Sequence, residues 1–194
     1  MLIDPAELAR LILSGQAVPP EWIPHITELR LERSYISDLA PVAALTELRC
    51  LMLTRSRISD IASLARLTRL QRLHLSFTAV SDLRPLTGMV ELEGCFLTGT
   101  LVDDLDPLAD LSCLERLDLA DTQVTDVTPL AGLYRLYSLD ISGTRVNDVT
   151  PLVGLQGLRY LDVTGAPIAD LSSLGALRGC RVVTRPQIAR RRPR

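Results

Sequence analysis

Apolar residues recur along the chain with a period of 22 residues. The unit 111–132 has the sequence LSCLERLDLADTQVTDVTPLAG, and the unit after it has LYRLYSLDISGTRVNDVTPLVG, so the apolar positions of the two coincide throughout. Repetition at a fixed period of this length predicts a solenoid, in which each unit buries its apolar face against its neighbours. Seven full units follow one another, and an incomplete eighth begins at Leu177: 23–44, 45–66, 67–88, 89–110, 111–132, 133–154 and 155–176.

Within each unit the order of apolar and polar residues predicts one short strand. Around Leu117-Asp118-Leu119 apolar and polar residues alternate, which is typical of a half-buried strand. Equivalent strands are expected to pair in register as a parallel sheet, with about 4.8 Å between neighbours. Later apolar residues of the unit, such as Val124 and Leu130, are expected to turn inward from the return leg.

Two polar positions recur almost as regularly as the leucines. An Asp stands in every unit, at Asp38, Asp60, Asp82, Asp104, Asp126, Asp148 and Asp170. A metal-binding or catalytic role is one interpretation, but five of these Asp are followed three residues later by Pro, at Pro41, Pro85, Pro107, Pro129 and Pro151. An Asp that caps a short helical turn, with Pro where no amide is needed, explains both residues and is preferred. A hydroxyl four residues before the Asp predicts a buried ladder that satisfies the turn leaving the strand: Ser34, Ser56, Thr78, Thr100, Thr122 and Thr144.

These units resemble the leucine-rich repeats of internalins and of protein phosphatase regulatory subunits, which share 22-residue units. The resemblance covers residues 23–176 and departs from those families in having Ser or Thr where they typically place Asn, and Ala166 in the last full unit. It implies an α/β leucine-rich-repeat solenoid with a parallel sheet on the concave face and short helical turns or loops on the convex face. It also implies protein recognition on the concave sheet. Host adhesion and phosphatase binding are not carried over, because no export signal, wall anchor or phosphatase-binding residue is recognised.

The two ends of the chain are expected to differ from the repeats. Asp4-Pro5-Ala6-Glu7 is a helix start and Gly15 a helix stop, which predicts an N-terminal helical cap over residues 1–22. Residues 177–185 are predicted to form an incomplete last repeat with one strand, and residues 186–194 a basic tail. A tail of this kind is expected to be solvated, with acidic protein, RNA or a membrane surface as alternative partners.

Charge and composition narrow the class of partner. All 21 basic residues are Arg, which suggests a GC-rich bacterial genome, and only 4% of the residues are aromatic, so the core must be aliphatic. The whole chain has a formal net charge of −2, and its last ten residues carry five Arg and no acid, so the remainder has a net charge of −7. An acidic body argues against nucleic acid as the main partner.

The cysteines and the N-terminus predict a cytoplasmic protein. Cys50, Cys95, Cys113 and Cys180 show no pairing pattern, which favours a reducing compartment, and periodicity puts Cys95 and Cys180 at core positions. The first residues lack the basic and apolar regions of a secretory signal, and no apolar run is long enough to span a membrane.

The outward positions of the strands define a candidate binding surface. The column between the two strand leucines contains, in chain order, Arg30, Met52, His74, Phe96, Asp118, Asp140 and Asp162, and a second column begins with Arg33, Arg55 and Phe77. Charge therefore changes sign along the face, with both Phe near its middle beside Gly94. We expect Met52, Phe77 and Phe96 to form the central hot spot of a protein-binding site, although packing against neighbouring side chains is the alternative. The three Asp are expected to repel one another, which favours a basic peptide or a cation, although Leu-Asp-Leu is ordinary in such repeats.

Known catalytic motifs are not found in the sequence. There are two His and no zinc-protease, phosphate-loop, serine-hydrolase or dinucleotide motif. A cysteine-dependent enzyme would require Cys50, expected to be exposed on the concave face, and His74 as its base. The leading prediction is a recognition module acting as adaptor or regulator, with no metal, cofactor or membrane. An effector delivered into a host cell without a cleaved signal is the alternative, and oligomeric state is not assigned.

Overall fold

A computed structural model describes residues 3–184, which form one helix followed by a parallel sheet. Helix α1 spans Pro5–Leu13. Eight strands follow in the described residues: β1 Glu28–Arg30, β2 Cys50–Met52, β3 Arg72–His74, β4 Gly94–Phe96, β5 Arg116–Asp118, β6 Ser138–Asp140, β7 Tyr160–Asp162 and β8 Arg181–Val183. The predicted basic tail lies outside the described residues.

The strands pair in chain order, each with the next, and all are parallel. From β1 to β7 every pair has the same register, for example Leu29 opposite Leu51, so that equivalent residues are 22 apart. Between β7 and β8 the offset is 21, because Leu161 lies opposite Val182. The last repeat is therefore one residue shorter than the periodicity predicts.

Short 3-10 turns form the convex side and return the chain to the next strand. Those that follow a strand lie at Ala40–Val42, Ala62–Arg66, Arg84–Leu86, Asp106–Leu108, Thr128–Gly132, Thr150–Gly154 and Ser172–Ala176, and another, Ile23–His25, precedes β1. A strand and a turn of this size have too little apolar surface to fold alone, so stacking supplies the missing wall of the core. The predicted leucine-rich-repeat solenoid, with its sheet on the concave side, is confirmed.

Leucine rows form one continuous aliphatic core through the stack. The central residue of each strand from Leu51 to Leu161, including Cys95, is buried, and the rows of the return leg are buried beside it. Burial of the Cys95 thiol raises its pKa to about 12, so it behaves as a small apolar side chain. Cys180 is only partly buried but packs against the same core.

The repeated Asp caps the convex turns, as predicted. In every unit an Oδ1 atom accepts a hydrogen bond from the amide two residues later, over 2.7 to 2.9 Å, as Asp38 does from Ala40. That amide begins the 3-10 turn and has no partner within it, so the carboxylate satisfies an otherwise unpaired donor. Pro41 and its equivalents follow at the second position of the turn, where no amide is required.

The hydroxyl ladder is present with one exception. Five of the hydroxyls donate to the carbonyl three residues earlier over 2.6 to 2.7 Å, and Thr100 to Leu97 is a typical case. Ser56 occupies the same position, but its buried Oγ has no hydrogen-bond partner. The ladder thus ties the end of most strands to the turn that follows.

Helix α1 covers the first rung of the solenoid. Asp4 Oδ1 accepts a hydrogen bond from the amide of Ala6 at 2.9 Å, and Gly15 ends the helix region in a left-handed conformation with φ of 69°. Leu8 and Ile12 are buried against the core at the β1 end. Among the described residues no helix is long and apolar enough to cross a membrane.

Candidate functional site

Three neighbouring side chains form a half-buried cluster on the concave face. Met52, His74 and Phe96 are paired in register at the ends of β2, β3 and β4. The His74 and Phe96 rings are stacked, with centroids 4.3 Å apart and planes 11° from parallel. The sheet therefore places Met52 and Phe96, two of the three residues predicted for the hot spot, on either side of His74.

Gly94 makes room for the Phe96 ring. A Cβ at Gly94 would lie 3.1 Å from Cε2 of Phe96, so the ring lies directly beside the glycine. A cavity of about 170 Å³ adjoins the ring and is bordered by Arg72 and Arg116. The site thus combines an aromatic ring with flanking guanidinium groups, which are common components of protein-recognition sites.

Sequence reasoning missed the arginines beside this cluster. Arg72, Gly94 and Arg116 belong to an outward column that lies two residues before the predicted column along each strand. This additional column begins at Glu28 and continues through Cys50. The alternation of the strand carried the signal, because residues two apart point to the same face.

The second predicted column does not lie on the sheet face. Arg33, Arg55 and Phe77 have φ of 54°, 60° and 58°, and the same position is Gly99, Asp121, Gly143 and Gly165 in later units, all with positive φ. The chain turns sharply in a left-handed conformation immediately after each strand, so these side chains lie at the edge of the sheet. The predicted exposure of Arg33, Arg55 and Phe77 agrees with the structure, but the column belongs to the turns after the strands and not to the strands themselves.

His74 has a pKa below its ordinary value. Partial burial beside Phe96 disfavours the charged imidazolium, Glu32 opposes that effect, and Arg72 adds to it. The ring is therefore neutral at neutral pH, which suits stacking against an aromatic neighbour. Arg30, at the β1 end of the same column, is exposed and paired with Glu28, with an Nη2–Oε1 distance of 2.6 Å.

The Asp column at the other end of the face is part of the local turn structure. Oδ1 of Asp118, Asp140 and Asp162 accepts a hydrogen bond from the amide two residues later, over 2.8 to 3.0 Å. The pKa of Asp140 is raised, mainly by burial, and the carboxylates of its two neighbours raise it further. Within the described residues no group of three His, Cys, Asp or Glu side chains is arranged to hold a metal ion.

Cys50 is not the exposed thiol that the sequence predicts. Only 2% of its surface is accessible, although it belongs to an outward column between Glu28 and Arg72. Burial raises the pKa of the thiol, the reverse of what activates a nucleophile. The prediction of exposure is wrong because long flanking side chains cover a small one, and the geometry does not support cysteine catalysis.

Comparison with solved structures finds the same fold in bacterial proteins. An internalin, InlF, from Listeria monocytogenes superimposes with a TM-score of 0.85 at 27% identity, over 92% of this chain and 54% of that chain. Internalin C2 from the same species gives 0.74 at 25% identity, over 92% and 91% of the two chains. A leucine-rich-repeat protein from Leptospira interrogans shares the fold, with a TM-score of 0.62 at 16% identity over 80% of this chain and 45% of that one. This chain spans about half the length of the first of these proteins. No family model and no curated protein sequence matches it.

Proposed function

We propose that this chain, a leucine-rich-repeat solenoid with the architecture of internalins, is a protein-recognition module whose concave sheet binds the partner. Internalin-like leucine-rich-repeat neighbours support a protein-interaction module in general. The repeats also supply what such a module needs, a rigid array of outward side chains on a fixed spacing.

The stacked His74–Phe96 pair is the observation that carries the proposal. Both side chains are outside the leucine core, and Met52 extends the same apolar strip across a third strand. A half-buried aromatic strip beside Arg72 and Arg116 leaves apolar surface in contact with water, which suits the centre of a binding site.

The distribution of charge along the concave face supports a partner with acidic groups at one end and basic groups at the other. The β1 end carries Arg30, and the edge beside it carries Arg33, Arg55 and the Phe77 ring. The β5 to β7 end carries Asp118, Asp140 and Asp162, each with one oxygen already bonded to its own turn. In this proposal the partner contacts Met52, His74 and Phe96 centrally, and places acidic groups at the arginine end and basic groups at the Asp end. Opposite charges so arranged set the orientation of binding.

Affinity capture with a matched pair of variants tests the proposal. The double variant His74→Ala/Phe96→Ala removes the stacked pair, and Tyr134→Ala removes an exposed aromatic ring on the segment leading into β6. We expect the double variant to weaken capture of a specific partner from lysate by more than about tenfold, the size of a hot-spot loss, with little change in melting temperature. The Tyr134→Ala control should capture normally. Unchanged capture by the double variant contradicts the proposal.

A further inference from the structure

Beside the concave face, the edge formed by the turns after β1 to β4 exposes arginines and large apolar side chains. We call this surface the arginine–aromatic edge: Arg33, Tyr35, Arg55, Arg57, Phe77 and Leu101. Tyr35 is 81% exposed and Phe77 and Leu101 are each 48% exposed. The equivalent positions of later units hold Asp121, Gln123, Gly143, Arg145 and Gly165, so the surface is confined to the N-terminal half.

Two arginines of the edge lie over aromatic rings of neighbouring units. The guanidinium carbon of Arg57 lies 4.8 Å from the centroid of Tyr35, and that of Arg55 lies 5.0 Å from the centroid of Phe77. Stacking orients a guanidinium while its N–H groups still point outward to accept a partner's oxygens. Within residues 3–184 neither arginine, nor Arg33, forms an ion pair with a carboxylate.

Backbone hydrogen bonds between units hold the edge rigid. The amide of Arg55 donates to the carbonyl of Ser76 at 2.9 Å, and the amide of Phe77 donates to Thr98 at 2.7 Å. The amide of Arg57 donates to Ile36 at 3.1 Å in the neighbouring row. The backbone that carries these side chains is thus fixed before any partner arrives, which lowers the entropic cost of binding.

Folding alone does not explain a phenylalanine at this position. Phe77 adopts a left-handed conformation, which costs a residue with a Cβ about 1 kcal/mol or more, and three later units use glycine there. Its ring lies over Gly99, where an added Cβ would come within 2.8 Å of Cδ1. A strained residue with a half-exposed ring is a common feature of binding surfaces.

An apolar groove opens at the start of the edge, between the end of α1 and the turn after β1. Its volume is about 510 Å³, within the usual range for pockets that receive a side chain or small ligand. Its lining includes Ile12, Leu13, Tyr35, Ile36 and Pro41, together with Asp38. Oδ1 of Asp38 is already bonded to the amide of Ala40, at 2.8 Å.

We propose that the arginine–aromatic edge docks an acidic segment of a partner protein, with one apolar side chain in the groove and carboxylates on Arg55 and Arg57. Charge complementarity selects the occupant, because Arg57 lies on the ring of Tyr35, which lines the groove, and Arg33 and Arg55 along the same edge also have no carboxylate partner among the described residues. A protein segment is favoured over nucleic acid because it can place an apolar side chain in the groove beside its carboxylates, whereas the net charge of −7 of residues 1–184 disfavours a long polyanion. This inference shares Arg33 and Arg55 with the arginine end of the proposed concave site, but Arg57, Tyr35 and the groove lie outside that site and are the parts tested here.

Fluorescence anisotropy with defined probes tests this docking surface on the full chain. The probe is a labelled short peptide in which Glu residues flank a single Leu, and matched probes replace Leu by Ser or Glu by Gln. We expect Tyr35→Ala/Arg57→Gln to weaken binding of the acidic Leu peptide by about tenfold, the loss expected for a hot-spot pair. Added salt should weaken the wild-type complex, because exposed charges are screened.

Matched controls separate the edge from general charge effects. Arg145 occupies the position of Arg57 four units later, so Arg145→Gln should leave binding unchanged, as should Tyr134→Ala. The five Arg of residues 185–194 are present in every variant, and a chain with Arg190, Arg191 and Arg192 changed to Ser should still prefer the Leu peptide over the Ser peptide.

Three outcomes would overturn the inference. The first is equal binding by wild type and Tyr35→Ala/Arg57→Gln when both have the same melting temperature. The second is no preference for the Leu peptide, and the third is tighter binding of oligothymidine than of the acidic peptide. The variant His74→Ala/Phe96→Ala should bind the peptide normally, so failure of the concave site is distinguishable from failure of the edge.

Discussion

Most of the hydroxyls that follow the strands stabilise the turn through a hydrogen bond to the carbonyl three residues earlier. Thr100 donates to the Leu97 carbonyl over 2.7 Å in a buried setting, and Ser56 lies at the equivalent position without a partner. A buried hydroxyl is stabilising only when its hydrogen bond is made, because otherwise its desolvation is not compensated. The Thr100 hydroxyl therefore stabilises the fold and the Ser56 hydroxyl destabilises it, although both occupy the same position in the repeat.

Substitutions at Thr100 and Ser56 should change the free energy of unfolding differently. We expect Thr100→Val to lower the free energy of unfolding by about 1 kcal/mol, the usual net value of one hydrogen bond, and Ser56→Ala to leave it unchanged or raise it. Chemical denaturation of both variants and the wild type measures the difference. Equal losses at the two positions would show that the hydrogen bond is not what matters.

The hydrogen bond accepted by Asp140 and the surroundings of its carboxylate have opposite effects on its pKa. Its Oδ1 atom accepts the amide of Ser142 at 2.8 Å, yet burial and the carboxylates of Asp118 and Asp162 raise its pKa. A pKa that is higher in the folded state means that folding favours the protonated form. The ionised form that predominates at neutral pH is accordingly a source of instability.

The variant Asp140→Asn should be more stable than the wild type at neutral pH. Asn keeps an oxygen for the Ser142 amide and removes the charge, so we expect a gain of about 0.5 kcal/mol, typical of relieving one repulsive cross-strand pair. The gain should shrink as pH falls through the raised pKa, where wild-type Asp140 becomes neutral. Melting curves at several pH values provide the measurement, and Asp126→Asn, at a capping position whose pKa is lowered, should show no gain.

At the scale of the element, the convex turns depend on ionised aspartates. An Arg84 side-chain hydrogen bond, followed by the Arg84 amide, lowers the pKa of Asp82 to about 2. Hydrogen bonds from the second residue after each likewise lower the pKa of Asp126, Asp148 and Asp170. These four capped turns are therefore favoured by the charged form of their Asp.

Acid should weaken the turns together. Because these pKa values are lower in the folded state, their contribution to stability is complete above the ordinary Asp value of about 4 and is lost as pH falls from there toward about 2. We expect the melting temperature, followed by circular dichroism, to fall across that window. Asp126→Asn should make the decline shallower, and a melting temperature independent of pH below about 4 would contradict the capping role.

At the scale of the whole molecule, each rung contacts only its neighbours. Strand β8 pairs with β7 alone among the described strands, and its residues are exposed or only partly buried, whereas α1 covers the opposite end with Leu8 and Ile12. In such a stack the stability of a rung depends on its own core and its two interfaces. The two ends of the solenoid are thus unequal.

Hydrogen exchange should reveal this inequality. We expect amides of β3 to β6 to exchange most slowly and those of β8 to exchange earliest among the strands, since opening β8 breaks one interface rather than two. Mass spectrometry of peptic fragments measures the exchange rates of β3 to β6 and of β8. Equal protection of β8 and β5 would indicate that the solenoid opens only as a single unit.

Much of the architecture was predictable because each unit repeats the same short-range sequence features. The alternation around Leu117, the Asp four residues after the hydroxyl, and the Pro of the convex turn each act over a few residues. Seven copies reinforce one another, so the strand register and the capping hydrogen bonds follow from the period. The candidate site was less predictable, and Phe77 and Cys50 show why.

The positions of Phe77 and Cys50 depend on the folded arrangement around them, which the alternation of apolar and polar residues does not reveal. Phe77 was expected on the face, but the left-handed turn after β3 carries it to the edge above Gly99. Cys50 was expected to be exposed, but the side chains flanking it on neighbouring strands bury it. Such contacts join residues 22 apart, and the sequence pattern of a single unit contains no information about them.

By itself the amino-acid sequence determined the period, the parallel register through β7, the aliphatic core and the capped turns, because these arise from local hydrogen bonds and from the spacing of apolar residues. Tertiary structure alone decided which outward side chains meet: His74 on Phe96, Arg55 on Phe77 and Arg57 on Tyr35. Those pairs form because stacking brings successive rungs within contact distance, and the size and charge of the side chains then select which of them pack together.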